Sequence, residues 1–180
     1  MNIFYLDRDV KTCATYHNDK HVVKMILEYA QLLSTAHRML DGKEYIDASS
    51  GRRIKRWRLN DDNMENMLYK ASHINHPSAI WVRQSNNNYN WLMCLLQDLL
   101  QEYTYRYGKI HATDRLVYWL RKPPANIPIG YLTQPTPAMP DEYKVQGDSL
   151  QSYRNYYIGA KKSMAKWKNR PIPEWWRDTV

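Results

Sequence analysis

The sequence has few glycines, few cysteines and no long apolar run. Its 180 residues include 6 Gly and 2 Cys, and 43% of them are hydrophobic. This composition excludes a collagen-like repeat, a flexible linker protein and a disordered chain. No stretch approaches the roughly 18 consecutive apolar residues that span a bilayer, and no signal-peptide pattern opens the chain. We therefore expect one folded domain over residues 1–180, located in the cytoplasm and without a membrane partner.

The two cysteines, Cys13 and Cys94, are far apart in the chain, and each lies in a stretch with apolar periodicity. This placement favours two buried free thiols over a disulfide. Free thiols are typical of a reducing compartment, which agrees with the cytoplasm.

The charge of the chain is strongly positive. There are 26 Lys and Arg against 18 Asp and Glu, a formal charge of +8, together with 15 Tyr and 7 Trp. Cations collect phosphates, and the flat rings of Tyr and Trp can stack on bases. We therefore expect double-stranded DNA as the partner. A merely basic soluble protein is the alternative.

Apolar spacing predicts three long amphipathic helices, over residues 16–40, 87–107 and 149–164. The pair Asp41-Gly42 is expected to end the first helix with a left-handed cap, and Gly108 to end the second. Most of the prolines fall in residues 122–142, which predicts an extended connector there. No sustained alternation of apolar and polar residues indicates a strand. The predicted fold is all-α, a compact single domain of three main helices with a proline-rich connector.

Positive charge is concentrated in two clusters, and each is a candidate DNA-binding surface. The first surrounds one tryptophan in a predicted loop or short helix and comprises Arg52, Arg53, Lys55, Arg56 and Arg58. The second lies near the C terminus among aromatic residues and comprises Lys161, Lys162, Lys166, Lys168, Arg170, Trp175 and Trp176. The alternative for the second cluster is a helix whose aromatic face is core and whose lysines are merely solvated.

Polar residues on the first predicted helix also recur at helical spacing. His17, His21, Lys24 and Glu28 advance by three or four positions and so share one face. Two histidines four residues apart can hold a metal ion, but the further ligands of known metal motifs are missing. We predict no metal and no cofactor. The alternative for this face is a solvated surface with an ordinary Lys24–Glu28 ion pair.

The chain contains no phosphate-binding glycine loop, no nucleophile elbow and no zinc-deaminase signature. Chemistry that requires only an amine and a carboxylate remains. An amine can attack the anomeric carbon of a nucleotide and form an imine, while a carboxylate moves protons and stabilises positive charge.

Several motifs follow one another in a distinctive order. The stretch DKHVVKMILEY contains His21 and Glu28, a middle helix follows His76-Pro77, and MPDEY at 139–143 precedes a Tyr- and Lys-bearing helix and an aromatic C-terminal segment. This order resembles the phage endonuclease V family of pyrimidine-dimer DNA glycosylases with AP lyase activity. The resemblance is spread over most of the chain.

The resemblance implies a compact all-α fold, a catalytic carboxylate at Glu28, a phosphate contact at His21 and a free N-terminal amine as nucleophile. The family removes its initiator Met to expose a small residue, whereas Asn2 is large enough here for Met1 to stay. Either the Met1 amine serves, displaced by one residue, or the lyase activity is absent. Leu27 also replaces the arginine that precedes the carboxylate in the family.

We therefore predict a monomeric glycosylase and AP lyase that acts on a damaged or modified pyrimidine in duplex DNA. Its location would be the host-cell cytoplasm if the protein is viral. Two alternatives stay open: a non-enzymatic DNA-binding protein, and a base-modifying transferase acting on flipped pyrimidines in viral DNA. The transferase would need a pocket for a cosubstrate.

Overall fold

The computed structural model describes residues 1–179. Over this range the chain forms α-helices, short 3-10 helices and one two-stranded sheet. The α-helices are α1 (Val10–Tyr16), α2 (Asp19–Asp41), α3 (Asp62–Met67), α4 (Pro77–Gln84), α5 (Asn86–Tyr107), α6 (Val117–Leu120), α7 (Ser149–Ala160) and α8 (Glu174–Arg177). The strands are β1 (Lys43–Asp47) and β2 (Ile54–Arg58). The predicted all-α fold of three main helices is therefore wrong, because the chain is mixed and has eight α-helices within residues 1–179.

The strands form an antiparallel hairpin after α2. Lys43 pairs with Arg58, and Asp47 pairs with Ile54. Gly51, with φ of 80°, closes the turn between the strands. The basic stretch predicted as a loop or short helix is thus largely strand β2. Periodicity missed it because both faces of this narrow ribbon carry charged side chains, so no apolar alternation marks the strand.

The first predicted helix, over residues 16–40, corresponds to α2, which begins at Asp19, while Tyr16 is the last residue of α1. Asn18 has extended backbone and caps α2, its Oδ1 accepting from the His21 N–H at 2.9 Å. The left-handed cap predicted at Gly42 is absent, since its φ is −83°, whereas Gly108 ends α5 as predicted and has a left-handed backbone with φ of 65°. Side-chain capping at Asn18 therefore interrupts a run of residues whose apolar spacing looks continuous.

The last predicted helix is shorter than its apolar spacing suggests. Helix α7 ends at Ala160, and a 3-10 helix, Lys162–Met164, follows it. The proline-rich connector is extended over residues 121–140 and then forms a 3-10 helix, Asp141–Tyr143. Side chains at the start of α5 fix the backbone of the connector. Asn88 Oδ1 accepts from the Thr133 N–H at 3.0 Å.

The core lies where α2 and α5 pack against each other, with α1, α4 and α7 around them. Several tyrosines are buried with their hydroxyls hydrogen-bonded, as in the bond from Tyr89 to Leu120 O at 2.7 Å. Cys13 is buried, and burial raises the pKa of its thiol to about 12. Cys94 is free but exposed on α5, so the expected burial of both thiols is wrong for Cys94.

Arg106 on α5 is the strongest polar cross-link in the core. Its side chain is fully buried and donates to Glu102 at 2.8 Å and to Asp19 at 3.0 Å. It also donates to the carbonyl oxygens of His17 and Thr15, at 2.9 and 2.8 Å. One guanidinium therefore joins α5 to the end of α1 and the beginning of α2.

We expect Arg106→Ala to lower the free energy of unfolding by about 3–5 kcal/mol, because it leaves carboxylates and carbonyls buried without their cation. Chemical denaturation measures the change. The matched control is Arg121→Ala, at an exposed arginine, which should change stability by less than about 0.5 kcal/mol. Equal small effects of both substitutions would contradict the role given to Arg106.

Candidate active site

The N terminus lies against the middle of α2. The Met1 amine is 3.1 Å from Glu28 Oε2, and Glu28 is 16% exposed. The ammonium of Lys24 approaches the other carboxylate oxygen at 3.5 Å and is 68% exposed. The helical pair expected from the sequence is therefore present, but Glu28 also contacts the chain terminus. Two amines thus meet one carboxylate, and of the three residues only Lys24 is well exposed.

Hydrogen bonds to buried side chains place the N terminus there. The Phe4 N–H donates to the Tyr29 hydroxyl at 3.1 Å, and Tyr29 follows Glu28 directly in α2. His17 Nε2 is 2.7 Å from that hydroxyl, while its Nδ1 donates to Cys13 O at 2.7 Å. Because Nδ1 carries the proton, Nε2 accepts from Tyr29, and the chain of hydrogen bonds is complete.

His17 and His21 are both buried, although the sequence placed them on a polar face. Burial lowers the pKa of His17 to about 4 and that of His21 to about 2, so both are neutral at pH 7. His17 is fully buried and has both ring nitrogens bonded inside the protein, so it cannot contact DNA in this conformation. His21 stacks on Phe4, with ring centroids 4.2 Å apart.

The hydrogen bonds of Tyr157 fix the tautomer of His21. The Tyr157 oxygen accepts from the Asn18 N–H at 3.3 Å, and it lies 2.6 Å from His21 Nδ1. Within residues 1–179 the Tyr157 hydroxyl has no other acceptor, so its proton points to Nδ1 and the ring proton is on Nε2. His21 lines a groove beside α2, so it offers a neutral N–H donor at an otherwise cationic surface.

That groove has a volume of about 440 Å³ and shares Lys24 with the Met1–Glu28 pair, although neither Met1 nor Glu28 lines it. Lys20 and Lys24 come from α2, and Lys161 comes from the end of α7, where its ammonium sits 4.8 Å from the centroid of the Tyr156 ring. Asp19 also lines the groove, but it is paired with Arg106 at 3.0 Å. The groove therefore carries a local excess of positive charge and also presents N–H donors.

One further histidine, His76, which sequence reasoning had not placed in the site, lies within electrostatic reach of Met1 and Glu28. Desolvation lowers the pKa of His76, the charges of the Met1 amine and His73 lower it further, and Glu28 raises it. His76 caps α4, its Nδ1 accepting from Ser78 N–H at 3.1 Å. His73 has a left-handed backbone, with φ of 49°, which is strained for a residue with a side chain. In the sequence, the turn between His73 and His76 was the only feature that could have indicated this part of the site. Asn2, half-buried beside Met1, completes this end of the site.

The first basic cluster is separate from this site and lies on the hairpin after α2. Three of its cations pair with carboxylates, namely Lys55 with Glu44 at 3.3 Å, Arg56 with Asp47 at 4.0 Å and Arg58 with Asp62 at 3.4 Å. Arg52 and Arg53, beside the hairpin turn, are exposed and form no salt bridge within residues 1–179. Within this cluster, these two are the cations without a paired carboxylate in residues 1–179, so they are available to a polyanion.

The second basic cluster is divided between surface and core. Lys162 and Lys166 are exposed, and Lys168 lies over the Tyr107 ring at 5.2 Å. Arg170 is instead paired with the buried Glu102 at 2.9 Å, and Trp176 is only 6% exposed. Trp175 is half-buried and packs on Arg154 at 5.2 Å. The exposed lysines can bind phosphate, whereas Trp176 and Arg170 serve the fold.

Comparison with models of known protein families, with curated proteins and with solved structures returned no match. In residues 1–179 no three His, Cys, Asp or Glu side chains are grouped in a way that could hold a metal ion. None of the helices between residues 1 and 179 has the length and apolar character needed to cross a bilayer.

Burial of neutral His21 predicts a pH-dependent stability. The folded-state pKa of about 2 lies below the usual histidine value of 6.5, so only the unfolded chain takes up this proton between pH 6.5 and about 2. Stability is therefore full above pH 6.5 and falls as the pH is lowered through this window. We expect His21→Gln to reduce the slope of unfolding free energy against pH by about 1.4 kcal/mol per pH unit below pH 6.

Denaturation curves between pH 7 and 4.5 measure that slope. The control is His73→Gln, at an exposed histidine, which should leave the slope unchanged. Parallel pH profiles for the wild type and His21→Gln would contradict a neutral buried imidazole.

Proposed function

We propose that the protein is a DNA glycosylase and AP lyase that uses the Met1 amine as nucleophile and Glu28 as the acid–base carboxylate. The observation that supports this most directly is the 3.1 Å separation between the Met1 nitrogen and Glu28 Oε2. The sequence separates these groups by 27 positions, and the fold brings them into hydrogen-bond contact. The substrate class is a damaged or modified pyrimidine in duplex DNA, as the resemblance to the endonuclease V family implies.

The contact suits the first step of such a reaction. Glu28 accepts a proton from the Met1 ammonium, and the free amine attacks C1′ of the target nucleotide. A carbon–nitrogen bond to Met1 forms as the glycosidic bond breaks and the base leaves with the bonding electrons and a proton. The bound amine then passes a proton through Glu28 to O4′ as the C1′–O4′ bond opens, and the resulting protonated imine makes the C2′ protons acidic. Removal of one by the carboxylate would expel the 3′ phosphate and cut the strand.

The cationic groove would hold the DNA backbone beside these groups. Lys20, Lys24 and Lys161 supply charge, and His21 supplies a neutral N–H donor. Phosphate contacts of this kind fix the position of a duplex without reading its sequence. Arg52 and Arg53 at the hairpin turn, which form no salt bridge within residues 1–179, add positive charge beyond the C-terminal end of α2. Extrusion of the damaged base costs less than extrusion of a paired one, which would contribute selectivity.

Borohydride reduction of the imine tests the amine mechanism. We expect wild-type protein to be trapped covalently on duplex DNA that contains an abasic site, and Glu28→Gln to slow trapping by about 100-fold or more, because acid–base groups contribute on the order of 10²–10⁴ in rate. Glu142→Gln, at an exposed glutamate outside the site, is the matched control and should be trapped like the wild type.

Acetylation of the N terminus separates the Met1 amine from the lysines. The acetylated protein should form no adduct. An adduct that survives acetylation would assign the chemistry to a lysine, and the absence of any adduct with unmodified protein would leave the DNA-binding and base-modifying alternatives.

The position of the groove also predicts how DNA affinity depends on salt concentration. Neutralising one phosphate contact lowers the slope of log K against log salt by about 0.9. We expect Lys20→Gln and Lys161→Gln each to lower the slope of duplex binding by about this amount, as measured by fluorescence anisotropy at several salt concentrations. Lys11→Gln, on α1, is the control and should keep the wild-type slope. Unchanged slopes in both groove variants would place the DNA elsewhere.

A further inference from the structure

A second cavity lies at the opposite end of α2 from the cationic groove. It has a volume of about 360 Å³ and lies between the end of α2, the β2–α3 link, α6 and the connector. Its apolar walls come from Leu59, Met64, Trp119, Pro123 and Ala125. Small-molecule sites occupy about 300–1,000 Å³ and have mostly apolar walls with a few polar groups. Size and lining therefore fit one small ligand.

The wall formed by the connector is fixed in place. Asp41, at the end of α2, accepts from the Ala125 N–H at 2.7 Å and from the Asn126 N–H at 2.9 Å. His37 Nε2 lies 2.8 Å from the Tyr89 hydroxyl, and burial lowers the pKa of His37 to about 4. These polar groups are already hydrogen-bonded within the protein. They therefore fix the walls of the cavity, and recognition of a ligand depends on other side chains.

Three polar groups at the rim are available. One carboxylate oxygen of Asp61 accepts from Met64 N–H at 2.9 Å, while the other has no partner within residues 1–179. The side chains of Asn60 and Lys122 are exposed and also form no hydrogen bond in that range. The rim thus offers hydrogen-bond acceptors from Asp61 and Asn60 and a cation from Lys122.

We propose that this cavity binds a nucleobase, either as a free nucleoside or as a base of a nucleic acid. Trp119 supplies an aromatic wall, Leu59 and Met64 supply further apolar wall, and the acceptors at the rim face the N–H edge of the ring. Lys122, an exposed cation in the lining, is placed to meet a phosphate of the same ligand. This assignment is independent of the chemistry proposed for Met1 and Glu28.

Titration of the full chain with adenosine, guanosine, cytidine and thymidine, followed by saturation-transfer NMR, tests the free-nucleoside source. A duplex with one unpaired 2-aminopurine tests the nucleic-acid source, since stacking on Trp119 quenches its fluorescence. Binding in either arm supports the cavity only if Trp119→Ala weakens it by at least about fivefold, the smallest effect expected for loss of one stacking ring.

Tyr118→Ala removes the neighbouring aromatic side chain, which is 72% exposed and does not line the cavity, and it should leave binding unchanged. Ala125→Leu fills the cavity from an exposed position and tests the site if Trp119→Ala fails to fold. No saturation transfer with about 10 mM of any nucleoside and no quenching in the duplex would overturn the proposal. Equal losses in Tyr118→Ala and Trp119→Ala would also overturn it.

Discussion

The hydrogen bond between the Phe4 N–H and the Tyr29 hydroxyl, at 3.1 Å, is the contact on which the candidate active site depends. A chain terminus is ordinarily free to move, because few contacts hold its backbone. Here Ile3 and Leu6 are fully buried, and Tyr29 accepts from the backbone between them. The Met1 amine therefore has a fixed position relative to Glu28, one residue before Tyr29 on the same helix. His17 completes the arrangement by accepting the Tyr29 proton.

Arginines provide the second level of support. Arg106 joins the end of α1 to α5, and Arg38 at the C-terminal part of α2 donates to the carbonyls of Trp57, Tyr69 and Leu68 and to the carboxylate of Glu65. Each satisfies backbone carbonyl groups where the chain leaves regular structure. A buried guanidinium has enough donors in fixed geometry to do this for several segments at once. The buried polar side chains thus fix the conformation of the loops, and these loops in turn position the site.

Sequence periodicity located the long helices well because α2 and α5 are buried along most of one face, and burial imposes helical spacing on apolar residues. It failed at the hairpin, where β2 is a ribbon with cations such as Lys55 and Arg58 and little buried surface. It also failed for His17 and His21. A polar residue at helical spacing was read as a solvated one, but tyrosine hydroxyls from Tyr29 and Tyr157 make burial of these imidazoles possible.

The sequence by itself determined the positive charge, the main helices, the connector and the choice of Glu28 as a carboxylate among cations. These are local or compositional properties, which need no knowledge of distant contacts. Only the tertiary structure decided that the Met1 amine touches Glu28, that His76 lies within electrostatic reach of both, and that Trp176 belongs to the core. Each of these depends on residues far apart in the chain, and such contacts are set by packing and hydrogen bonding in three dimensions.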